Sequence, residues 1–455
     1  MKVTLNNVGR IEHAEIDVKP LTILVGGNNT GKTYAMYVLW NILQRRFSAS
    51  PSFAESIAQT LRSNGTAREM LSAFLPDHMR SIEHAIGDGT KRRLHHLFRS
   101  PEALFSDAKV KIELDAVAVL ENATRRKFSA ELGASFARKS HAISAEKVAH
   151  SDEIIFTLLN RDLPQSLIAQ FVVGVITQLA VAPTATGCVL LPAERAALNI
   201  FAADLDTQNA ALLRQLKREQ VNVGKLIEDL TVAQYAEPIE EYLRLLKIFP
   251  RSLRAKGEFH DAAMDLQKQI SKVRYKVDKD GLVTAQPYRS DTVLGLHLTS
   301  STAKNVYGLW AYLEGMAVAG DCLMIDEPEL NLHPDNQRRI ARMLAKLVNR
   351  GIRVVVSTHS DYMIREFNNL LMLSQPFVGR DELAATYQYD VSSEALKSDS
   401  VSAIHFSEQS CDVIPIDPTF GIEVASMDAE MNSLNRSSTE IHFALLESND
   451  GAANE

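Results

Sequence analysis

The segment from residue 26 to residue 33 constrains the fold more than any other part of the 455-residue chain. It reads Gly-Gly-Asn-Asn-Thr-Gly-Lys-Thr, which fits the pattern of a glycine, four residues of any type, Gly-Lys, and Ser or Thr. An apolar stretch, residues 21–25, precedes it, and a helix-like run, residues 33–46, follows it. A strand, a glycine-rich loop and a helix in this order predict an α/β fold with a phosphate-binding loop.

The residue types in this loop suit a bound phosphate. Glycines allow backbone N–H groups to surround an anion, and the helix N-terminus adds partial positive charge. We expect Lys32 to contact the β and γ phosphates of ATP, and the Thr33 hydroxyl to bind Mg²⁺. The predicted nucleotide-binding residues of the loop are Gly26, Gly27, Asn28, Asn29, Thr30, Gly31, Lys32 and Thr33.

A second apolar strand, residues 322–325, ends in the adjacent acids Asp326 and Glu327. Two carboxylates at the end of a buried strand are costly unless a cation lies nearby. We expect Asp326 to bind Mg²⁺ through water and Glu327 to act as the general base that polarises the attacking water.

His359 follows a third apolar strand, residues 352–356, and an amphipathic helix, residues 334–350, separates it from the Asp-Glu strand. A strand–helix–strand order at this spacing implies a parallel sheet. A single histidine is more often a structural residue. Because His359 follows a phosphate loop and an Asp-Glu strand in the chain, we interpret it as a catalytic sensor of the γ-phosphate.

Three motifs together resemble the ABC-type ATPases, in the branch that contains RecF, the SMC heads and the OLD-like ATPases. They are the glycine loop, the Asp-Glu-Pro-Glu-Leu-Asn-Leu-His-Pro segment at 326–334, and Ser-Thr-His-Ser at 357–360. The resemblance implies a P-loop NTPase: an ABC-type head with a mixed, largely parallel sheet, an antiparallel β lobe and an inserted helical region. It also implies an ATPase that dimerises around two nucleotides.

In that family, a signature loop before the Asp-Glu strand completes the site of a partner subunit. Residues 298–305 (Leu-Thr-Ser-Ser-Thr-Ala-Lys-Asn) lie at this place, lack both family glycines, and resemble the Ser-Ser-x-x-Lys form of OLD-like ATPases. Ser300 or Ser301 there either binds a phosphate or caps the helix. Pro-Ala-Glu-Arg at 192–195 resembles another recurrent element, in which Arg195 is either part of the nucleotide site or a structural or partner contact.

The motifs divide the chain into a split head with insertions. Residues 167–183 predict a buried helix, because this run is shorter than the roughly 20 apolar residues of a membrane span. Residues 206–246 predict a helical hairpin or lever, and residues 270–286 a β-hairpin with an Asp-Gly turn. The predicted parts are 1–50 (head, phosphate loop), 51–185 (mixed α/β insertion), 186–200 (head strand and Pro-Ala-Glu-Arg), 201–265 (helical insertion), 266–385 (head, signature loop to His359) and 386–455 (C-terminal α/β extension).

The formal net charge of −7 excludes a globally basic nucleic-acid coat. Residues 421–455 hold seven acidic residues and one basic residue, a net charge of −6, so the remainder is nearly neutral. A local DNA-binding face therefore stays open, and its candidates are the basic runs at 91–99, 125–127, 272–276 and 338–350. Three well-separated cysteines and an N-terminus without a signal-peptide pattern lead us to expect a cytoplasmic protein.

The resulting hypothesis is an ATP-hydrolysing homo-oligomer without membrane contact. Long coiled-coil arms, which an SMC protein needs, are missing from the pattern, and no Glu plus Asp-x-Asp cluster follows His359 to indicate a nuclease. Compact OLD-like ATPases resemble sensor or scaffold subunits of anti-phage defence systems such as Septu and PARIS, which control a separate toxin or nuclease. The alternatives are a RecF-like DNA-binding ATPase of repair or recombination, and a scaffold that binds ATP without hydrolysing it.

Overall fold

The computed structural model describes residues 1–44, 51–133, 142–202, 235–253, 255–278, 282–408 and 410–452. Its strands, in chain order, are β1 (Lys2–Val8), β2 (Ile11–Asp17), β3 (Leu21–Gly26), β4 (Thr66–Met70), β5 (Lys109–Glu113), β6 (Phe128–Leu132), β7 (Ile143–Lys147), β8 (Glu153–Leu158), β9 (Cys188–Leu191), β10 (Val273–Val277), β11 (Val283–Pro287), β12 (Leu294–Gly295), β13 (Cys322–Asp326), β14 (Arg353–Thr358), β15 (Val401–Phe406), β16 (Cys411–Ile414), β17 (Ile416–Asp417) and β18 (Gly421–Ile422).

The α-helices that connect and cover these strands are α1 (Lys32–Leu43), α2 (Ser52–Asn64), α3 (Leu71–Leu97), α4 (Ala116–Arg125), α5 (Gln165–Val181), α6 (Glu237–Ser252), α7 (His260–Leu266), α8 (Ser301–Gly315), α9 (Pro334–Asn349), α10 (Asp361–Met372), α11 (Arg380–Thr386), α12 (Val391–Glu394) and α13 (Ala425–Ala452). Among the residues that the structure describes, no helix combines the length and the apolar character needed to cross a bilayer.

A six-stranded sheet in the order β16-β15-β3-β14-β13-β9 forms the centre of the fold. Its strands run parallel except β16, which pairs with β15 in the antiparallel direction. Strands β3 and β13 are buried along their whole length, as expected for a parallel sheet that is covered on both faces. The predicted α/β class with a mixed, largely parallel sheet is therefore confirmed.

Side chains of β3 alternate between the two cores that flank this sheet. Leu24 packs into the core formed with α1, α3 and α5, whereas Ile23 and Val25 pack into the core formed with α6 to α10. Successive side chains of a strand point to opposite faces, so an uninterrupted apolar strand can serve both cores at once. This burial fixes the carboxyl end of β3, where the glycine loop begins.

Four smaller sheets occur beside the central one in the described part of the chain. They have the orders β2-β1-β5, β10-β11-β12, β17-β18 and β4-β8-β7-β6, and the last of these forms the predicted antiparallel lobe. The predicted hairpin at 270–286 is confirmed as β10 and β11, while its turn residues Asp280 and Gly281 lie outside the described residues. The predicted domain boundaries stay a prediction. Strand β5, from the predicted insertion 51–185, pairs with β1 of the head. Strand β15, from the predicted C-terminal extension, pairs with β3 in the central sheet.

Two helical predictions have different outcomes. The sequence pattern of residues 67–75 predicts a helix, and this prediction is wrong in its first half, because residues 66–70 form strand β4, which pairs with β8. Helix α3 then runs without interruption to Leu97, and Gly87 inside it allows close packing, since a Cβ there would lie 2.4 Å from the Val110 carbonyl oxygen. Of the predicted helical region 206–246, residues 206–234 lie outside the described residues, and the remainder includes the first part of α6.

Candidate nucleotide-binding site

The glycine loop between β3 and α1 adopts a backbone that only glycine supports at two positions. Gly26 has a φ of 149°, and a Cβ there would lie 2.0 Å from the Phe406 carbonyl oxygen. Gly31 has a φ of 103°, and a Cβ there would lie 2.8 Å from Ile11 Cγ1. Strand β15 and strand β2 therefore shape the loop from both sides.

The interior of the loop is held by Lys32 and Thr30. The buried Lys32 ammonium donates to the Gly26 carbonyl oxygen at 2.9 Å and to the Gly27 carbonyl oxygen at 2.5 Å. Thr30 Oγ1 donates to the same Gly27 oxygen at 2.9 Å. Burial lowers the pKa of Lys32, and the neighbouring carboxylates of Glu327 and Asp326 oppose this shift.

The tip of the loop is open to solvent. Gly27, Asn28 and Asn29 are exposed, and Asn29 has a left-handed φ of 60°. Helix α1 begins directly after this tip, and Gly31 precedes it without a side-chain cap. Backbone N–H groups at an uncapped helix N-terminus are available to an anion.

The first turn of α1 meets the end of β13. Thr33 Oγ1 donates to Asp326 Oδ2 at 3.1 Å, although 293 residues separate the two positions in the chain. Ser357, on the intervening strand β14, donates its hydroxyl to Asp326 Oδ1. A carboxylate beside a hydroxyl offers the oxygen ligands that Mg²⁺ prefers, so these two residues fit a magnesium ion.

Glu327 has a strained backbone that aims its side chain at the same end of the sheet. Its φ is 48°, in the left-handed region, and its N–H donates to Ser357 Oγ at 3.0 Å. Burial raises the pKa of the Glu327 carboxyl, and of the nearby groups His359 opposes the shift while Asp326 adds to it. Strained residues held by their neighbours often occur at functional sites.

His359 lies directly beside this carboxylate, at the end of β14. Its Nδ1 is 3.7 Å from Glu327 Oε1 and 3.6 Å from Glu329 Oε1. The imidazole is partly exposed, while both carboxylates are more buried. Parallel pairing of β13 with β14 brings the two strand ends together, so the structure places Glu327 and His359 at one site.

Glu329 is a site residue that the sequence reasoning did not select. Its buried Oε1 accepts from Thr358 Oγ1 at 2.6 Å and from the His359 N–H at 2.9 Å. Among the described residues, its buried Oε2 has no hydrogen-bond partner. The second glutamate of the Asp-Glu-Pro-Glu segment was the available signal. Glu329 fixes the backbone that carries His359.

Arg195, the first helical residue after the turn that follows β9, is buried behind the site. One guanidinium nitrogen donates to the carbonyl oxygens of Pro192 at 3.1 Å and Asp326 at 2.6 Å, and the other to that of Glu327 at 2.8 Å. Burial lowers the pKa of this guanidinium. These contacts are with the backbone of the two acidic residues, which agrees with the structural alternative for Arg195.

The predicted signature loop is joined to the segment that follows β13. Ser300 caps α8 by accepting from the Ala303 N–H at 3.2 Å, and Ser301 is the exposed first residue of that helix. The Thr302 hydroxyl donates to the Asn331 carbonyl oxygen at 3.5 Å. Within the described part of the chain, no hydrogen bond connects either serine to the glycine loop.

A sequence profile described as "AAA ATPase domain" matches residues 1–364. The chain belongs to the AAA ATPase domain family. Membership of this family supports nucleotide binding by a P-loop. The matched residues include the glycine loop, Asp326, Glu327 and His359. No curated protein matches the chain.

Three solved SMC head structures are similar to this AAA ATPase domain at low identity. The SmcHead bound to the C-winged helix domain of ScpA has 13% identity, covering 91% of this chain and 96% of that chain, with a TM-score of 0.35. The Pyrococcus furiosus Smc head with an extended coiled coil, bound to the C-terminal domain of ScpA, has 14% identity, covering 96% of this chain and 98% of that chain, with a TM-score of 0.33. The Thermotoga maritima SMC head has 11% identity, covering 91% of this chain and 98% of that chain, with a TM-score of 0.31. Similarity of this size carries no conclusion about partners or reaction.

Two polar side chains connect α8 of the AAA ATPase domain to α6. Asn199 Nδ2 donates to the Lys304 carbonyl oxygen in the first turn of α8 at 2.7 Å. The buried Tyr242 hydroxyl, on α6, donates to Asn199 Oδ1 at 2.6 Å. Asn199 follows Arg195 by one helical turn, so this short segment contacts α8 as well as the backbone of Asp326 and Glu327.

The basic runs named as a possible DNA face are partly neutralised by ion pairs. Carboxylates lie within 3 Å of six of their arginines, in the pairs Arg93–Glu237, Arg99–Glu240, Arg338–Glu366, Arg339–Asp335, Arg342–Glu394 and Arg350–Asp261. Apart from Arg339–Asp335, which lies within α9, the pairs connect α3 and the residues just after it with α6, and α9 and the residue just after it with α7, α10 and α12. A DNA backbone would compete with these carboxylates for the same guanidinium groups.

Proposed function

We propose that the protein hydrolyses ATP to ADP and phosphate at the carboxyl end of the central sheet. The observation that carries the proposal is the meeting of Thr33 with Asp326 at 3.1 Å beside the buried Lys32. Three chain segments thereby contribute a phosphate loop, a metal-ligand pair and a candidate base to one place. The AAA ATPase domain match over residues 1–364 supports the same reaction.

Each residue has a distinct task in this proposal. Mg²⁺ bound by Thr33 and Asp326 would neutralise charge on the β and γ phosphates. Lys32 exchanges its loop carbonyls for phosphate oxygens when ATP binds. Glu327 takes the proton of the attacking water, and the raised pKa of its carboxyl makes it a stronger base than an ordinary glutamate. His359 contacts the γ-phosphate.

We assign Arg195 to the backbone of the acidic strand end rather than to the nucleotide. Its guanidinium already donates to three carbonyl oxygens, two of which belong to Asp326 and Glu327. An arginine fork that contacts two consecutive residues fixes their orientation. Glu329 has the corresponding task for His359 from the other side.

The active form in this proposal is a homodimer with two ATP molecules between the subunits. The loop containing Ser300 and Ser301 lies at an α-helix N-terminus, and Leu298 before it is an exposed large apolar residue. Such a loop suits a contact with the nucleotide of a second subunit. If this is correct, Glu327→Gln retains ATP and accumulates as a dimer that Lys32→Ala does not form.

We further propose that the ATPase is the sensor or scaffold subunit of an anti-phage defence system with a separate effector. The Ser-Ser-x-x-Lys form of residues 300–304, which resembles OLD-like ATPases, supports this role. The test is phage plating on cells that express the gene together with its neighbour. Protection that Lys32→Ala abolishes would support the role. Equal plaque counts with and without the genes, together with salt-dependent DNA binding, would favour the repair alternative.

The ATPase proposal predicts that Lys32→Ala lowers kcat/KM for ATP by about 10²–10³-fold, because a charged donor to the developing phosphate charge is lost. Steady-state phosphate release and nucleotide binding by calorimetry measure the effect. Lys111→Ala, which removes an exposed lysine from β5, is the control and should match the unsubstituted protein. Equal turnover by Lys32→Ala would refute the assigned site.

A further inference from the structure

The first turn of α8, which Ser300 caps, is held by side chains from two other parts of the chain. Asn199 Nδ2 donates to the Lys304 carbonyl oxygen at 2.7 Å, and the buried Tyr275 hydroxyl, on β10, donates to the Ala303 carbonyl oxygen at 2.6 Å. Carbonyl groups in the first turn of a helix already accept from N–H groups four residues ahead. The two side chains are therefore additional donors, and they fix where this turn lies relative to the rest of the fold.

The side-chain amide of Asn199 has a single orientation. Its Nδ2 faces the Lys304 carbonyl oxygen, which can only accept, so its Oδ1 faces the Tyr242 hydroxyl, which donates at 2.6 Å. Burial raises the pKa of Tyr242, so this hydroxyl stays protonated and remains a donor. Tyr242 also packs against the backbone of α8, since a Cβ at Gly308 would lie 2.0 Å from its hydroxyl oxygen.

The short helix that carries Asn199 also carries Arg195. Residues 195–202 are helical, and positions four residues apart lie on the same side of a helix. Arg195 donates to the carbonyl oxygens of Asp326 and Glu327, which belong to the nucleotide site of the same subunit. One turn further along, Asn199 holds the first turn of α8. A single helix thus contacts both the acidic residues and the loop proposed to face a second subunit.

We propose that Asn199 is a positioning residue for the ATP of the second subunit. By holding the Lys304 carbonyl, it sets the place of Ser300 and Ser301 in the site that they complete. The assignment rests on the proposed ATP-bound dimer and deepens it, because the helix at 195–202 then links the two sites. Arg195 acts on the ATP of its own subunit, and Asn199 acts on the ATP of the other.

Mixed dimers with one hydrolysing site test this assignment. Two differently tagged full-length chains are co-expressed, and dimers that contain both tags are isolated. One chain carries Glu327→Gln, so hydrolysis takes place only with Glu327 of the other chain. The Ser300 loop that completes this hydrolysing site belongs to the Glu327→Gln chain. Asn199→Ala is placed either in the Glu327→Gln chain or in the hydrolysing chain, and single-turnover hydrolysis of ATP is measured.

The two placements of Asn199→Ala should differ in their effect. In the Glu327→Gln chain the substitution should slow hydrolysis by about five- to tenfold, because one hydrogen bond that positions the completing loop is lost. In the hydrolysing chain it should change the rate by less than about twofold, because the loop it displaces faces the inactive site. A general loss of stability would affect both dimers equally. Equal rates, or a larger effect in the hydrolysing chain, would overturn the assignment.

A second variant and a control complete the experiment. Asn199→Ala combined with Tyr242→Phe also removes the hydroxyl that has lost its acceptor, and it should show the same dependence on placement. Asn435→Ala, at an exposed asparagine of α13, is the matched control and should leave the rate unchanged in either chain. Calorimetry should give the same ATP affinity for Asn199→Ala as for the unsubstituted chain, since the glycine loop is unaltered.

Sedimentation velocity of the Glu327→Gln chain with ATP separates the two ways in which the assignment can fail. If this chain stays monomeric, the proposed ATP-bound dimer is wrong, and the role of Asn199 is wrong with it. If it dimerises and the placement of Asn199→Ala makes no difference, the dimer stands and only the role of Asn199 is refuted.

Discussion

Two buried cations hold the backbone in the same way in two different regions of the molecule. Arg195, behind the nucleotide site, donates to the carbonyl oxygens of Pro192, Asp326 and Glu327. Lys147, at the end of β7 in the antiparallel lobe, donates to three carbonyl oxygens at 2.8 to 2.9 Å, those of Thr124, Arg126 and Val148. Both cations donate to three backbone carbonyl oxygens. They differ in their partners, because two of the carbonyl groups that Arg195 contacts belong to the site residues Asp326 and Glu327.

Burial lowers the pKa of both cations, because removal from water disfavours the charged form. Hydrogen bonds from a charged donor offset part of this cost, at about 1.5–3 kcal/mol each. An ammonium has three donors, which equals the number of carbonyls around Lys147. The planar guanidinium of Arg195 instead spans two consecutive peptide units. The comparison therefore predicts that Lys147 affects stability alone, whereas Arg195 affects stability and turnover.

The largest effect is expected for Arg195→Met. Three carbonyl oxygens lose their donor, so the free energy of unfolding should fall by about 3–5 kcal/mol. The turnover number of the molecules that remain folded should fall too, since the backbone of Asp326 and Glu327 is no longer held. Urea unfolding and ATP turnover, corrected for the folded fraction, measure the two quantities. Unchanged turnover per folded molecule would remove the distinction between the two cations.

A smaller effect, on stability alone, is expected for Lys147→Met. The free energy of unfolding should fall by about 1–3 kcal/mol, because buried carbonyl oxygens lose their donors. Turnover per folded molecule should equal that of the unsubstituted protein, since none of the described residues of the lobe lies in the site. Lys111→Met, on the exposed face of β5, is the matched control and should leave the urea midpoint in place. A loss of turnover in Lys147→Met would show that the lobe is coupled to catalysis.

The smallest effect is expected for Tyr242→Phe. This variant tests how much the neighbouring residue Asn199 contributes to the role of Arg195 at the nucleotide site. The variant removes only the hydroxyl that donates to Asn199, so the free energy of unfolding should fall by about 1 kcal/mol. Turnover should fall less than in Arg195→Met, because Asn199 contacts α8 and not the acidic strand end. Tyr362→Phe, at an exposed tyrosine, is the control. A larger loss of turnover than in Arg195→Met would reverse the proposed order.

The sequence predicts those parts of the molecule whose signal is local. An apolar strand followed by a glycine loop identifies β3 and Lys32, and an apolar strand that ends in two acids identifies β13. The pairing of β4 with β8 joins residues more than 80 positions apart, and a window around residue 67 contains no trace of it. The misassigned helix at 67–75 follows from that.

The partners of the site residues are equally non-local. Ser357 bonds Asp326 because β14 lies beside β13 in the sheet, and the sequence order does not reveal this hydrogen bond. Arg195 could be read as a nucleotide ligand or as a structural residue until its three carbonyl partners were known. Lys147 carries no sequence signal, since a lysine near a strand end is usually solvated.

The central claim is that Glu327 carries the hydrolytic step at a site that binds ATP without it. Single-turnover hydrolysis by Glu327→Gln, with bound ATP measured in the same sample, tests this most directly. We expect hydrolysis to slow by about 10²–10⁴-fold while ATP affinity stays within a few-fold of the unsubstituted protein. Hydrolysis at the unsubstituted rate, with ATP bound, would contradict the claim.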